Sequence, residues 1–400
     1  MTPPPPRGLP SSPNSSGNPD SARPAPKNLP DIVTATSLGP WPGTDPVEAS
    51  KVGLGLLPEP HLPGMASLPA RGVGSDAVGR TAALLLELPV DVQPYGWRFV
   101  DRPGHDQRRA ASALSTDINV LADVVGAGEL VPEHFKAHIM GPASLAAAIH
   151  LHYGERSLSD HGARRDIAQS LAAGLQGFAG MLRAAVPGAA LTLQIDEPDT
   201  APVLAGTIPT ASGYRTLRPV TGAELRGLWS ELVAAARGAG FSTVAINLAP
   251  DAGPAAAQSA AGSAGGIAGA LNPDGTAAAE STAWRKGLEL ALESGVDAVA
   301  VPLHKLDTGH WELLARALES GMGVWAGTVP ARPGRLPPSY ASLVEKVMVP
   351  WRGLGLPVTL LPQLRITPSE TLAGLSPAEA RRVLERVLEV AEELSAIRYR

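Results

Sequence analysis

Residues 189–198 read Ala-Ala-Leu-Thr-Leu-Gln-Ile-Asp-Glu-Pro, an apolar run that ends in two adjacent carboxylates and a proline. The run predicts a buried strand over residues 190–196, with Asp196 and Glu197 at its carboxyl end. Carboxylates at such a place lose solvation unless a ligand, a cation or hydrogen-bond donors compensate them, which makes both residues candidates for substrate contact. The alternative is an acidic loop that follows an ordinary strand.

Working outward from this strand, short apolar runs alternate with stretches of helical periodicity from Ile32 onward, the pattern of βα units around a parallel sheet. Eight strands are predicted, which is the number of a TIM (β/α)8 barrel, and such barrels carry their chemistry at the carboxyl ends of the strands. The predicted strands cover residues 32–38, 90–94, 135–140, 190–196, 243–248, 298–303, 323–328 and 358–361.

Two of the predicted helices have recognisable beginnings. Thr221 with Glu224, and Ser376 with Glu379, both have the spacing of a capping box, and Pro377 fits the first position of the second helix. That last helix, over residues 377–397, is predicted to pack outside the sheet through one apolar face. The face consists of Ala380, Val383, Leu384, Val387, Leu388 and Ala391.

Composition limits the class of protein. The 400 residues are 44% apolar, enough for a large core, and the formal net charge of −5 is spread along the chain, which indicates neither a nucleic-acid groove nor a membrane surface. Cysteine is absent, which excludes disulfides, thiolate metal ligands and cysteine nucleophiles. No segment has the length and apolarity of a signal peptide or a transmembrane helix, so we expect a cytoplasmic protein.

Three segments are expected along the chain. Residues 1–30 are rich in Pro and Ser and are predicted to form a disordered leader, and residues 31–400 are predicted to form one barrel domain. Within that domain, residues 251–281 consist mainly of Ala, Gly and Ser and are predicted to be a flexible insertion. Either a lid over the active face or a low-complexity insert would have this composition.

With the order of the strands established, the chain resembles the catalytic C-terminal domain of cobalamin-independent methionine synthase. The most specific match is residues 194–198, which fit the family's Q-[IL]-D-E-P motif. Residues 36–42, with Gly39, are similar to the family's first strand and its G-S-F-P turn, although Pro40 stands where the family has serine. The segment with Trp97 resembles the family's N-G-W region, and residues 136–142 resemble its strand-three segment ending in G-P.

The resemblance implies a TIM barrel in which zinc activates the thiol of homocysteine for methyl transfer from methyltetrahydrofolate. Zinc binding stabilises a thiolate at neutral pH, and a carboxylate holds the ammonium group of the amino acid. By the match at residues 194–198, Asp196 is the residue expected to hold that ammonium, with Gln194 beside it. Glu197 is expected to support Asp196 or to contact the methyl donor, and Gly39 and Trp97 are further expected substrate contacts.

The zinc ligands of the family are missing at the corresponding positions. The family's His-x-Cys reads Asn247-Leu248-Ala249 here, its glutamate falls at residues 301–303, and its second cysteine falls at residues 361–363, which include Gln363. The proton-donating histidine is replaced by Thr328. Zinc is therefore expected for the family but not for this chain, and no cofactor is predicted.

His304 is the remaining candidate near the predicted carboxyl ends. It follows the sixth predicted strand and precedes Asp307, so His304, Asn247 and Gln363 are predicted to lie near Asp196. With Asp196 and Glu197, His304 would offer nitrogen and oxygen ligands for a substitute metal, and the alternative is that no metal binds.

Three functional hypotheses follow. The first is a methyltransferase of methionine biosynthesis that moves a methyl group from a folate or a corrinoid protein to homocysteine. The second is a non-catalytic or regulatory relative that binds homocysteine or methionine without turnover. The third is an enzyme similar to uroporphyrinogen decarboxylase, whose chemistry uses no metal; the arginine-rich signature of that enzyme is not found in this sequence.

Overall fold

The computed structural model describes residues 30–128, 131–249 and 273–399. The predicted leader and most of the predicted insertion lie outside these residues. Residues 273–281, the end of that predicted insertion, belong to a helix. None of the described helices has the length and apolarity needed to cross a membrane.

Seven parallel strands form a curled sheet in the order β1-β9-β8-β7-β6-β5-β4. The two remaining strands, β2 and β3, form a separate antiparallel hairpin. The strands are β1 (Thr34–Ala35), β2 (Val90–Gln93), β3 (Gly96–Phe99), β4 (His134–Met140), β5 (Ala190–Asp196), β6 (Thr243–Asn247), β7 (Ala298–Pro302), β8 (Gly323–Val329) and β9 (Leu364–Pro368).

Helices cover the outer face of this sheet. Neighbours along the chain pack on one another from α3 to α5 to α7 to α8, and α10 packs on α11, which contacts α1. The helices are α1 (Pro46–Leu56), α2 (Ala77–Ala82), α3 (His105–Ala127), α4 (Pro142–Ala148), α5 (His161–Ala185), α6 (Thr200–Ala205), α7 (Gly222–Gly238), α8 (Pro273–Glu293), α9 (Thr308–Glu319), α10 (Tyr340–Gly353) and α11 (Pro377–Arg398).

One predicted strand lies in a different sheet from the one predicted, and another predicted strand was wrong. Residues 90–94 belong to the β2–β3 hairpin rather than to the parallel sheet, because the two-residue turn at Pro94-Tyr95 leads straight into β3. Residues 358–361 lie in a 3-10 helix, Val358–Gln363, and the strand is β9, which follows it. The prediction favoured the more apolar run, whereas β9 carries a partly exposed Arg365 whose Nε donates to Thr34 Oγ1 at 2.9 Å.

A short segment, His61–Met65, lies between the two edges of the sheet. Thr36 of the β1 end forms a parallel bridge with Leu62, and Gly64 forms one with Lys136 of β4. The amide of Leu62 donates to the Ala35 carbonyl at 2.9 Å, and the amide of Lys136 donates to the Pro63 carbonyl at 2.9 Å. We call this segment the seam. It occupies the position that residues 90–94 were predicted to fill.

The sheet has two differently filled faces. On β5, Leu191, Leu193 and Ile195 point outward into the main core against the helices, whereas Thr192, Gln194 and Asp196 point to the inner face, since side chains alternate along a strand. Small alanines and one indole form a second, inner apolar cluster. Its members are Leu38, Leu62, Ala245, Ala298, Ala300 and Trp325.

Helix ends follow local chemistry. Ser376 and Glu379 form the predicted capping box of α11, whereas Thr221 caps α7 through the Glu224 amide alone. The Glu224 carboxylate binds Arg164 of α5 at 2.7 Å instead. The apolar face predicted for α11 is buried apart from Leu388, which is partly exposed.

Helix α5 offers a matched test of packing on the outer face. A methyl group at Gly174 would fall inside van der Waals distance of the Leu84 carbonyl oxygen, whereas one at the exposed Gly177 would meet nothing within 4 Å. We expect Gly174→Ala to lower the free energy of unfolding by about 1–3 kcal/mol through overpacking. Gly177→Ala should raise it by about 0.5–1 kcal/mol, because alanine loses less backbone entropy in a helix. Urea unfolding of both variants tests this, and equal effects would contradict the packing of α5 against Leu84.

Candidate functional site

A chain of hydrogen bonds links four side chains on the inner face of β4, β5 and β6. Lys136 Nζ donates to Gln194 Oε1 at 2.5 Å and to the Ser37 carbonyl at 2.7 Å. Gln194 Nε2 donates to Asp196 Oδ1 at 2.7 Å, and Asn247 Nδ2 donates to the same oxygen at 2.8 Å. The predicted residues Gln194, Asp196 and Asn247 therefore lie together, joined by Lys136.

The orientation of both amides in this chain is fixed by their other partners. An ammonium can only donate, so Lys136 forces the oxygen of Gln194 toward itself and the nitrogen toward Asp196 and the Leu38 carbonyl. Asn247 Oδ1 accepts from the Ala249 amide at 3.0 Å, which turns its nitrogen toward Asp196. Asp196 Oδ1 thus receives two N–H donors, and the partly exposed carboxylate is held in one plane at the carboxyl end of β5.

Lys136 is 1% exposed, which is unusual for a lysine. Burial lowers the pKa of its ammonium to about 7; the nearby Asp196 carboxylate acts in the opposite sense, and Arg365 lowers the pKa further. Lys136 Nζ and Arg365 Cζ each lie 5.5 Å from the centroid of the Trp325 ring. A buried lysine and a partly exposed arginine therefore both lie near one indole. The sequence analysis did not identify Lys136, although a lysine within the apolar run Phe135-Lys136-Ala137 is the signal that could have identified it.

Glu197 faces a different part of the molecule from Asp196. It is fully buried, and its oxygens accept from the amides of Ala143 (3.1 Å) and Ser144 (2.8 Å) at the start of α4 and from the Trp229 indole (2.8 Å). Burial raises the pKa of this carboxyl, although these donors act in the opposite sense. A side chain at Gly141 would collide with the Glu197 carboxylate. In this arrangement Glu197 holds the start of α4 against the end of β5.

Asp199 is a second buried acid beside Glu197, and sequence reasoning missed it. It is 5% exposed, and its Oδ2 is buried without a hydrogen-bond partner. Burial and the Glu197 charge raise the pKa of Asp199 to about 7, while Arg156 acts in the opposite sense. The Arg156 guanidinium itself donates to the carbonyls of Ala147 (2.6 Å) and Pro209 (3.2 Å). No feature of the local sequence distinguishes Asp199 from an ordinary helix cap.

Gly39 and His138 meet on the other side of Gln194. Gly39 has φ +114°, and a side chain there would overlap the His138 ring. His138 Nε2 lies 3.1 Å from Ser67 Oγ. Burial and the charges of Lys136 and Arg80 hold the pKa of His138 well below its usual range, so the ring is neutral at neutral pH. Gly39 thus lies next to a neutral imidazole that the sequence did not single out as part of the site, and its role as a substrate contact stays a prediction.

Trp97, His304 and Gln363 do not join the chain of hydrogen bonds. Trp97 lies on β3, is 4% exposed and belongs to the main apolar core. His304 is exposed in a 3-10 helix after β7, and Asp307 binds His310 at 2.6 Å as the cap of α9. Gln363 precedes β9 and therefore lies at the amino end of that strand, because the predicted strand 358–361 was wrong. Its predicted place near Asp196 is corrected accordingly.

The donor set at the carboxyl ends of these strands does not fit zinc. Both polar atoms of Asn247 are engaged within the protein, and Ala249 has no donor atom. Glu370, which follows β9, accepts from the Ala331 amide at 2.9 Å and from Ser369 Oγ at 2.7 Å. Over the described ranges, no three histidine or carboxylate side chains converge at this end of the sheet. Structural and catalytic zinc sites need at least three such ligands.

Comparison with known proteins places the fold but not the family. No protein-family model matches the sequence, and no curated protein matches it. A B12-independent methionine synthase from Shewanella sp. W3-18-1, solved in complex with selenomethionine, is similar over 92% of this chain and 98% of that chain, with TM-score 0.57 and 11% identity. A methyltransferase from Methanosarcina mazei follows with TM-score 0.47 and 11% identity, covering 91% and 94% of the two chains.

At this level of identity the likeness shows the fold alone. The curled parallel sheet with its outer helices is of the type found in that methionine synthase structure. A shared fold does not define a reaction, which has to be argued from the site.

The raised pKa of Asp199 predicts a pH dependence of stability. The unfolded chain loses this proton near pH 3.8 and the folded chain near pH 7, so the free energy of unfolding should fall as pH rises between these values. Asp199→Asn removes this contribution, which is at most about 4 kcal/mol. Between pH 4 and pH 7 the free energy of unfolding should therefore fall less in the variant than in the parent. Denaturant unfolding from pH 4 to 8 measures the difference. The exposed Asp123→Asn is the control, and parallel curves for the parent and Asp199→Asn would contradict the assignment.

Proposed function

We propose that this chain is a methionine synthase-like protein that binds an α-amino acid, homocysteine or methionine, with Asp196 holding the ammonium group of the ligand. The observation that carries the proposal is the fixed, partly exposed Asp196 carboxylate at the carboxyl end of β5. An oriented carboxylate in a protein wall is the group that binds an ammonium most strongly. Gln194 and Asn247 act on the ligand through Asp196.

The remaining wall of the site is supplied by the β1 and β4 ends. Gly39 and His138 lie beside Gln194 and offer a backbone surface and a neutral imidazole. The exposed His304 lies at the rim, and Glu197 maintains the position of Asp196 by holding α4 to β5. In the proposed arrangement the seam His61–Met65, which bridges to Thr36 and to Lys136, forms the wall of the site between β1 and β4.

The proposed reaction is methyl transfer from a folate or a corrinoid protein to the sulfur of homocysteine. In the zinc-dependent family the metal supplies the thiolate, and the described donor set here does not fit that metal. Without that zinc site, homocysteine reacts as its free thiolate, whose proton has been lost to solvent. The sulfur then forms a bond to the methyl carbon while the bond from that carbon to the folate nitrogen or the corrinoid cobalt breaks, and the folate nitrogen regains a proton from solvent.

A binding protein without turnover is the second candidate. The observation that favours it is the combination of an intact carboxylate site with Asn247 and Ala249 at positions where the resembling family has zinc ligands. Such a protein would bind the amino acid at the same site without catalysing its conversion.

Binding at Asp196 is tested by calorimetry with L-methionine. Asp196→Asn keeps the size of the side chain but removes the charge, so we expect affinity to fall roughly 10- to 150-fold, the effect of losing a charge-assisted hydrogen bond. Asp166→Asn, at a half-exposed position of α5, is the control and should bind like the parent. A parent protein that does not bind L-methionine at millimolar concentration excludes both candidate functions.

Turnover separates the two candidates. Purified protein is incubated with homocysteine and either methyltetrahydrofolate or a methylated corrinoid protein, and methionine is quantified by mass spectrometry together with the zinc content of the sample. The methyltransferase predicts methionine formation that Asp196→Asn reduces at least tenfold in kcat/KM. Methionine binding with neither zinc nor methionine formation would leave the binding protein as the function.

A further inference from the structure

The inner face of the sheet holds more positive than negative charge near the candidate site. Lys136 and Arg365 both lie 5.5 Å from the centroid of the Trp325 ring, and Asp196 is the nearby carboxylate that raises the pKa of Lys136. The titratable and charged groups that face Lys136 are Asp196 from β5, Arg365 from β9 and His138 from its own strand. The other neighbours of Lys136 carry no charge. They are Gly64 of the seam, the Trp325 ring of β8 and the Ser37 carbonyl after β1.

A ligand ammonium on Asp196 would add a third cation to this region. Like charges in a poorly solvated site repel strongly, so one of the three has to be neutralised or the ligand is excluded. Arg365 keeps its proton at neutral pH because the pKa of its guanidinium, although lowered by burial, is still about 10. His138 is already neutral. Lys136 is therefore the cation that can lose its proton at neutral pH.

We propose that Lys136 gives up its proton when a ligand ammonium binds Asp196, so that amino-acid binding at this site is coupled to proton release. The inference rests on the proposed function and specifies its linkage to pH. Lys136 is too deeply buried to touch the ligand, and it acts as a positioning residue through Gln194 and through its charge.

The site keeps its geometry when the proton leaves. A neutral amine still has two N–H groups, which match its two acceptors, Gln194 Oε1 and the Ser37 carbonyl. The amide of Gln194 therefore stays oriented toward Asp196, while the charge that competes with the ligand disappears. A lysine pKa of about 7 places this discharge within the neutral range.

The sign of the coupling follows from linkage. A ligand that binds only the form with neutral Lys136 has an apparent affinity proportional to the population of that form. Affinity should therefore rise about tenfold between pH 6 and pH 8 for a group with a pKa of about 7. In the same limit, binding should release about half a proton at pH 7 and about nine-tenths of a proton at pH 6.

Calorimetry of L-methionine binding in two buffers of different ionisation enthalpy measures the released protons directly. Methionine is the probe because it has no thiol that could supply a proton, and its own ammonium stays protonated over this range. We expect release that decreases from pH 6 to pH 8 while affinity increases. Binding with no proton release at pH 6 would overturn the proposal and leave the proposed function intact, whereas absence of binding would sink the proposed function itself.

Two variants identify the source of the proton. Lys136→Arg retains a charged donor that cannot discharge, so it should bind methionine at least tenfold more weakly than the parent at pH 8, with no proton release. Lys136→Met has no proton to lose, so it should bind methionine with no proton release and with affinity independent of pH from 6 to 8. Lys51→Arg, on the exposed face of α1, should behave like the parent. Circular dichroism and thermal unfolding confirm that each variant is folded. Proton release that persists in both folded Lys136 variants would assign the proton to another group and overturn the proposal.

Discussion

The hydrogen bond from Lys136 to Gln194 is the constraint on which the candidate site depends. A lysine inside a sheet is tolerated only if its ammonium has partners, and a buried glutamine only if both ends of its amide are used. Here the Lys136 ammonium donates to the oxygen of the Gln194 amide, which satisfies both groups, and the nitrogen of that amide donates to Asp196. The orientation of the exposed carboxylate is thus fixed by groups that no ligand reaches.

Two consecutive carboxylates at the end of β5 form hydrogen bonds on opposite faces of the sheet. Asp196 turns inward to the Gln194 and Asn247 amides, whereas Glu197 turns outward to the start of α4 and the Trp229 indole. Alternation along a strand makes this division unavoidable, since successive side chains point to opposite faces. Asp196 is therefore available for binding, whereas Glu197 holds the start of α4 through hydrogen bonds. Adjacent carboxylates in a sequence need not share a task.

Local pattern predicted most of the fold, and long-range contacts account for the rest. The strand 190–196 and its acidic end follow from the apolar run and its abrupt stop, and Gln194, Asp196 and Asn247 lie together because parallel strands end at the same edge. The seam was not predictable, because Pro63 and Gly64 are poor strand formers and only the flanking edges make them bridge. Strand β9 was missed because it carries the charged Arg365, whose partners Thr34 and Trp325 are distant in sequence. Asp199 was missed for a related reason, since its environment comes from Arg156 and Glu197 rather than from its neighbours.

The seam has a consequence for how the interior communicates with water. Gly64 is partly exposed and has no side chain, and an added Cβ would meet the Lys136 Cε at 3.1 Å. The wall beside the buried ammonium is therefore the backbone of a five-residue segment rather than a full strand. One bridge and at least two hydrogen bonds join this segment to each edge of the sheet. Brief opening of these five residues would let solvent hydrogens exchange with Lys136 while the seven-stranded sheet stays intact.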